Sequence, residues 1–172
     1  MKDFNVLAMY AAMDAKRVQA DLSWPKVAQA LWDQSSALNA QRGDHPISPA
    51  TLTGMAKRGD CTCQHALFVL RWLGRTPESF ISGSAADAGT SLPAVGDDQR
   101  LRWNLQAVFE VLNQHRQARE LTWHAAAREI RCSEHQLRGL KTARYAIGMR
   151  LMMRIVQWVG QPAATFIYPA RW

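Results

Sequence analysis

Glu134, His135, Arg138 and Lys141 lie opposite Leu137 and Leu140 on one short stretch of helical spacing. Leucines three residues apart make a buried stripe, so the four polar residues point outward. That set suits the reading of nucleic acid. Arginine pairs with the edge of guanine, histidine donates or accepts at a base edge, and lysine meets a phosphate. Arg144, just beyond, approaches the same backbone, and Ser133 opens the stretch as a capping hydroxyl. A second stretch repeats the design with weaker chemistry. After Ser48 its outward set is Pro49, Ala50, Thr53 and Gly54, then Lys57 and Arg58. Alanine and threonine touch a thymine methyl but offer little hydrogen-bonded readout.

Other chemistries find less support. Cys61-Thr62-Cys63-Gln64-His65 lacks the usual spacing of a zinc site and a nearby fourth ligand. Cys132 stands near His135, but no orienting acid or oxyanion site accompanies it, and a turn-packing cysteine is the simpler role. There is no glycine-rich phosphate loop and no paired-carboxylate site. The expectation is a protein without catalytic activity, metal or cofactor.

The elements that position these residues are written twice. Leu22-Ser23-Trp24-Pro25-Lys26-Val27-Ala28 returns as Leu121-Thr122-Trp123-His124-Ala125-Ala126-Ala127, and Ser48–Met55 as Ser133–Leu140. Trp72-Leu73-Gly74 with Phe80-Ile81 returns as Trp158-Val159-Gly160 with Phe166-Ile167. A unit this long is a folded domain used twice, not a solenoid motif of about 20–50 residues. Val6, Met9 and Met13, matched by Leu105, Val108 and Leu112, predict a first helix. Ser23 and Thr122 cap a second, and Ser48 and Ser133 a third. A fourth runs over Ala66–Leu73 and Met149–Val159 to Gly74 and Gly160. A short fifth turn carries Phe80-Ile81 and Phe166-Ile167. Everything periodic is helical, which predicts an all-α chain with five short helices per repeat. Trp72 and Trp158 read as core, and Trp24 and Trp123 either as packing residues or as rings that stack on sugar or a neighbouring protein surface. Arg150 and Arg154, four apart, either track phosphate or form a solvated face.

The domains expected are 1–82 and 100–172, joined by a small, polar linker over 83–99 with little structure of its own. The second repeat passes from its second to its third helix through Arg131-Cys132 alone. The first has an insertion there, 32–47, which is a helix extension with a loop, a contact element or a disordered tip.

Charge follows the same division. The 172 residues carry a formal +7. Residues 1–99 hold 9 Lys/Arg against 10 Asp/Glu, a net −1, and residues 100–172 hold 12 against 4, a net +8. The second repeat therefore supplies the attraction to a polyanion. Three cysteines make no disulfide framework, and neither a signal peptide nor a membrane-length apolar run is present, which points to the cytoplasm and away from a membrane.

Leu22–Ala28, Ser48–Gly59 and Leu70–Gly74 together resemble the lambda-repressor-like (Cro/repressor, XRE-type) helix-turn-helix family, and the second repeat resembles it in outline. The resemblance spans about residues 4–81 and 104–168. It implies two tandem five-helix domains that bind double-stranded DNA as a transcriptional regulator of bacterial or phage type. Ser48, Ala50, Thr51 and Thr53 would then face bases in one repeat, and Glu134, His135, Gln136 and Arg138 in the other. Fused repeats would imitate a repressor dimer on unequal half-sites, leaving a homodimer or another protein as a further partner. The family often has glutamine where Trp24 and Trp123 stand, and the insertion lengthens its usual turn. These departures fit an alternative, an adaptor or antitoxin-like module that keeps the fold without groove reading.

Overall fold

Polar side chains open the helices at matched places in the two repeats. Asn5 and Asn104 accept from the N–H groups of Ala8 and Ala107, and Ser23 and Thr122 from those of Lys26 and Ala125. Ser48 and Ser133 do the same for Thr51 and Gln136. Each oxygen satisfies a free amide of a first turn. Gly74 and Gly160 end their helices in the left-handed region, at φ 65° and 69°.

The computed structural model describes residues 1–81, 91–142 and 147–172. Its first repeat holds α1 (Val6–Gln19), α2 (Trp24–Asp33), α3 (Ser36–Asn39), α4 (Pro49–Arg58) and α5 (Cys63–Leu73). The second holds α6 (Leu105–Ala118), α7 (Trp123–Ile130), α8 (Glu134–Gly139) and α9 (Met149–Val159). A 3-10 turn follows α5 and α9, at Pro77–Phe80 and Ala163–Phe166, and another, Leu140–Thr142, continues α8. Among the described residues no helix is long and apolar enough to cross a membrane.

The expectation of an all-helical chain needs one correction. β1 (Arg100–Trp103) pairs antiparallel with β2 (Ile167–Ala170), with Trp103 opposite Ile167. Four residues are at the lower limit for reading strand alternation. Arg100 also breaks the pattern, because it is buried. The first repeat keeps only the matching bridge between Phe4 and Ile81. In both, the next N–H closes the unit: Asn5 donates to Phe80 O and Asn104 to Phe166 O, each at 2.8 Å.

Buried side chains of the two repeats form one continuous cluster. Leu137 and Leu140 beneath α8 are buried within it, as are Leu52 and Met55 beneath α4. Full burial of such a side chain contributes about 1.5–3 kcal/mol. Packing rather than helix propensity therefore holds the short α8. Trp72 and Trp158, expected in the core, stand at its edge instead. The Trp158 indole donates to Glu129 Oε2 at 2.7 Å, and Lys16 lies over the Trp72 ring at 4.3 Å.

The insertion is a contact element. Leu38 and Ile47 are buried, and the residues around them grip the start of the second repeat. Leu38 N–H donates to Asp97 O at 3.1 Å, and Ser35 Oγ donates to Gln99 O at 2.7 Å. Arg100 reaches back to Asp44 at 2.7 Å and Asn39 at 2.6 Å, with its guanidinium 4.6 Å from the Trp32 ring centroid. Arg71 donates to Gln34, Gly96 and Gln99 carbonyls. Of the expected linker, residues 83–90 lie outside the described residues, and the part from 96 to 99 is held by these bonds.

The repeats meet reciprocally. Thr62 and Gly148 form an antiparallel bridge in which Cys63 N–H donates to Ile147 O at 2.9 Å and Met149 N–H donates to Cys61 O at 2.8 Å. Cys61 matches Ile147 in the repeat, and Cys63 matches Met149. A surface thus touches its own counterpart, as across a two-fold axis. The arm before each first helix follows suit. Lys2 exchanges hydrogen bonds with Gln157 of α9, and Asp3 pairs with Arg150 at 3.0 Å and Arg154 at 3.6 Å. On the opposite side Gln64 of α5 donates to Leu101 O and accepts from Arg102.

Candidate nucleic-acid interface

In the second repeat α7 and α8 are joined by Arg131-Cys132-Ser133, with Arg131 in the left-handed region at φ 60°. A non-glycine residue there accepts some backbone strain to make the turn tight. Ser133 and Gln136 then exchange bonds: Gln136 N–H donates to Ser133 Oγ, and Ser133 N–H donates to Gln136 Oε1. This capping box fixes the start of α8 and occupies the Gln136 carbonyl. With Leu137 and Leu140 buried, His135, Arg138 and Lys141 are exposed. Glu134 lies between His124, with Nδ1 at 3.5 Å, and the Arg138 guanidinium, with Nη2 at 3.6 Å. The Arg138 guanidinium is also 5.7 Å from the Trp123 ring centroid. Exposed pairs of this kind are worth about 0.2–1 kcal/mol, so Arg138 is aimed yet easily transferred to a phosphate or base. Arg144 lies outside the described residues.

In the first repeat the hydroxyls are engaged locally. Ser48 Oγ accepts from Thr51 N–H at 3.2 Å and lies 2.9 Å from Thr51 Oγ1. Thr53 Oγ1 donates to Pro49 O at 3.3 Å. Ala50 is exposed and presents only a methyl group. Lys57 and Arg58 are exposed, and Arg58 folds back across Gly54, where a Cβ would come within 2.6 Å of its Nη1. The sequence signal for that placement is the four-residue spacing of Gly54 and Arg58.

The starts of α4 and α8 line adjoining depressions. Ser48, Ala50, Thr51 and Arg58 line one, and His135, Gln136, Gly139 and Arg150 the other. Asp60 and Gly148 belong to both walls. Arg150 and Arg154, left open between phosphate tracking and a solvated face, bind Asp3 across the repeats. The bond from Arg150 lowers the Asp3 pKa, ahead of the opposing effect of burial.

The tryptophans at the helix starts stack inward. Trp24 lies against Tyr10 with centroids 5.3 Å apart, and Trp123 against Phe109 at 5.6 Å, both nearly parallel. Arg17 and Arg116 cover the other faces, at 4.9 and 4.7 Å. The same two arginines donate to Leu22 O and Leu121 O, which lie just before the second helices. This layered support was hidden in the sequence because its members come from different helices.

Burial favours the protonated thiol at all three cysteines. Burial pushes the Cys61 thiol up to about 12 and the Cys132 thiol up to about 11, and raises that of Cys63. Among the described residues no three His, Cys, Asp or Glu side chains gather as a metal would require. Set beside family models, curated proteins and solved structures, the chain matches none.

Proposed function

We propose that the chain is a sequence-specific double-stranded DNA-binding transcriptional regulator, built of two tandem lambda-repressor-like helix-turn-helix domains that act as a covalent pseudo-dimer. The observation that carries this is the reciprocal bridge at Thr62 and Gly148, with the starts of α4 and α8 lining adjoining depressions beside it. Helices α4 and α8 related in this way suit two half-sites on one duplex face. Exposed Arg138, Lys141, Lys57 and Arg58 supply side chains for bases and phosphates. The second repeat, at +8, gives most of the affinity. Action on the nucleoid of a bacterium or phage-infected cell follows from this reading.

A gel shift on random-sequence duplex DNA across a salt series tests it. One protein chain per duplex is expected at low salt, with affinity falling steeply as salt rises. Absence of binding at low salt overturns the proposal.

A specific observation favours a second reading for the first repeat. The hydroxyls of Ser48, Thr51 and Thr53 are engaged by their own helix, which leaves α4 little with which to read a base. A protein-interaction module of adaptor or antitoxin type would use that quiet face. Base preference confined to a single half-site, with capture of a protein partner through α4, supports that alternative.

A further inference from the structure

A cavity of about 400 Å³ opens where the repeats meet. Cys63 and Gln64 at the start of α5 form one wall, and Trp103, Leu105 and Tyr168 of the second repeat form the other. Its volume and largely apolar lining match those of small-molecule sites. Arg102 is the charged residue of the lining, and how that side chain is used tells what the cavity would hold.

Arg102 grips Trp172 at the cavity rim. Its Nε and Nη2 both donate to the Trp172 carbonyl oxygen, at 3.0 and 2.8 Å, and its guanidinium lies 4.8 Å from the Trp172 ring centroid. Its Nη1 donates to Gln64 Oε1 at 3.0 Å. Two parallel donors on one oxygen make half of the bidentate contact that a carboxylate completes with two. The indole on the guanidinium adds the aromatic partner that arginine favours. Trp172 is 55% exposed, so little apolar burial holds it there. It occupies the rim with an aromatic ring beside an oxygen acceptor.

We propose that this cavity binds a small aromatic carboxylate, which displaces Trp172 from Arg102 and inserts its ring between the two walls. The site does not depend on whether the protein binds DNA. Because Thr62 and Ile147 also line the cavity, its occupant presses on the bridge that relates the repeats.

Calorimetric titration of the whole protein with indole-3-acetate, phenylacetate and benzoate tests this, with neutral indole as the reference. At least one carboxylate should bind about tenfold more tightly than indole. Trp172→Ala removes the competing ring and its stacking on Arg102, leaving only the main-chain oxygen of residue 172 to be displaced, and should tighten that ligand by about tenfold. Arg102→Gln should abolish the preference for the carboxylate, and Arg102→Lys, which keeps the charge without the fork, should lose most of it. Circular dichroism confirms that each variant is folded. Trp172 is more than half exposed, so its variant stands as the test even where an Arg102 substitution disturbs the sheet. The proposal is overturned by absence of binding of all three carboxylates to both wild type and Trp172→Ala up to about 10 mM. It is also overturned by weaker binding in Trp172→Ala, or by an intact carboxylate preference in a folded Arg102→Gln.

Discussion

Asp60 caps the helix that Gly148 begins. Its Oδ1 accepts the Arg150 N–H at 3.3 Å, and a Cβ at position 148 would overlap the same carboxylate. The first repeat has Thr62 at this place, with its own hydroxyl capping α5 through His65 N–H. The two-fold relation is thus broken at its centre, where one repeat caps itself and the other is capped by its neighbour.

Gly148→Ala should therefore cost about 1 kcal/mol through loss of the cap, and Asp60→Ala somewhat more, since its Oδ1 also accepts the Cys61 N–H at 2.8 Å. Gly148 has an ordinary φ of −67°, so alanine there is opposed only by the carboxylate. The double variant should be no less stable than Asp60→Ala alone. Urea unfolding of the four proteins closes the cycle, and additive losses would refute the shared cause.

Arg100→Ala should loosen the insertion along with the start of the second repeat. The buried guanidinium serves Asp44, Asn39 and Trp32 at once, so a loss of about 2 kcal/mol is expected. Hydrogen exchange at the Leu38 amide, which donates to Asp97 O, should speed up more than exchange at Leu137 in α8. Equal changes at both amides would contradict a local clamp.

Acid should weaken the same clamp. The Arg42 hydrogen bond, and then that of Arg100, hold the Asp44 carboxyl at about 2, below its ordinary 3.8. A carboxyl with a depressed folded-state pKa stabilises the fold above its unfolded value and loses that contribution as pH falls through the folded one. The urea midpoint should thus drop between about pH 4 and pH 2, and less steeply in Asp44→Asn. Parallel acid profiles for the two proteins would remove Asp44 from the explanation.

On DNA, Arg138→Ala and Lys141→Ala should fail differently. Loss of the arginine should relax preference at one base pair by about 1–3 kcal/mol of discrimination. Loss of the lysine should weaken all sequences alike and reduce the salt slope by about one. Selection from a random duplex pool followed by salt titration separates them, and an unchanged slope in Lys141→Ala removes that residue from the phosphate contacts.

Local signals made much of this fold legible. Asn5, Ser23 and Ser48 act on amides three residues away, as do Asn104, Thr122 and Ser133, so their roles can be read along the chain. The leucines under α8 show by spacing alone which residues face out. Arg100 could not be placed in this way, because its partners Asn39 and Asp44 are far away in sequence. Arg150 and Arg154 were ambiguous for the same reason, since Asp3 lies at the opposite end of the chain. Four-residue strands gave too short a pattern to distinguish. The candidate interface was legible as a set of side chains, but not in which of them its own helix already engages.

The crossed arms bear on what the covalent connection does. Each repeat rests on a segment that belongs to the other, so the geometry of the pair resides in the contact surface. The link between the repeats then contributes effective concentration. Residues 1–81 and 91–172, produced as separate chains, should find one another and reassemble as a heterodimer whose stability depends on dilution, whereas that of the intact chain does not.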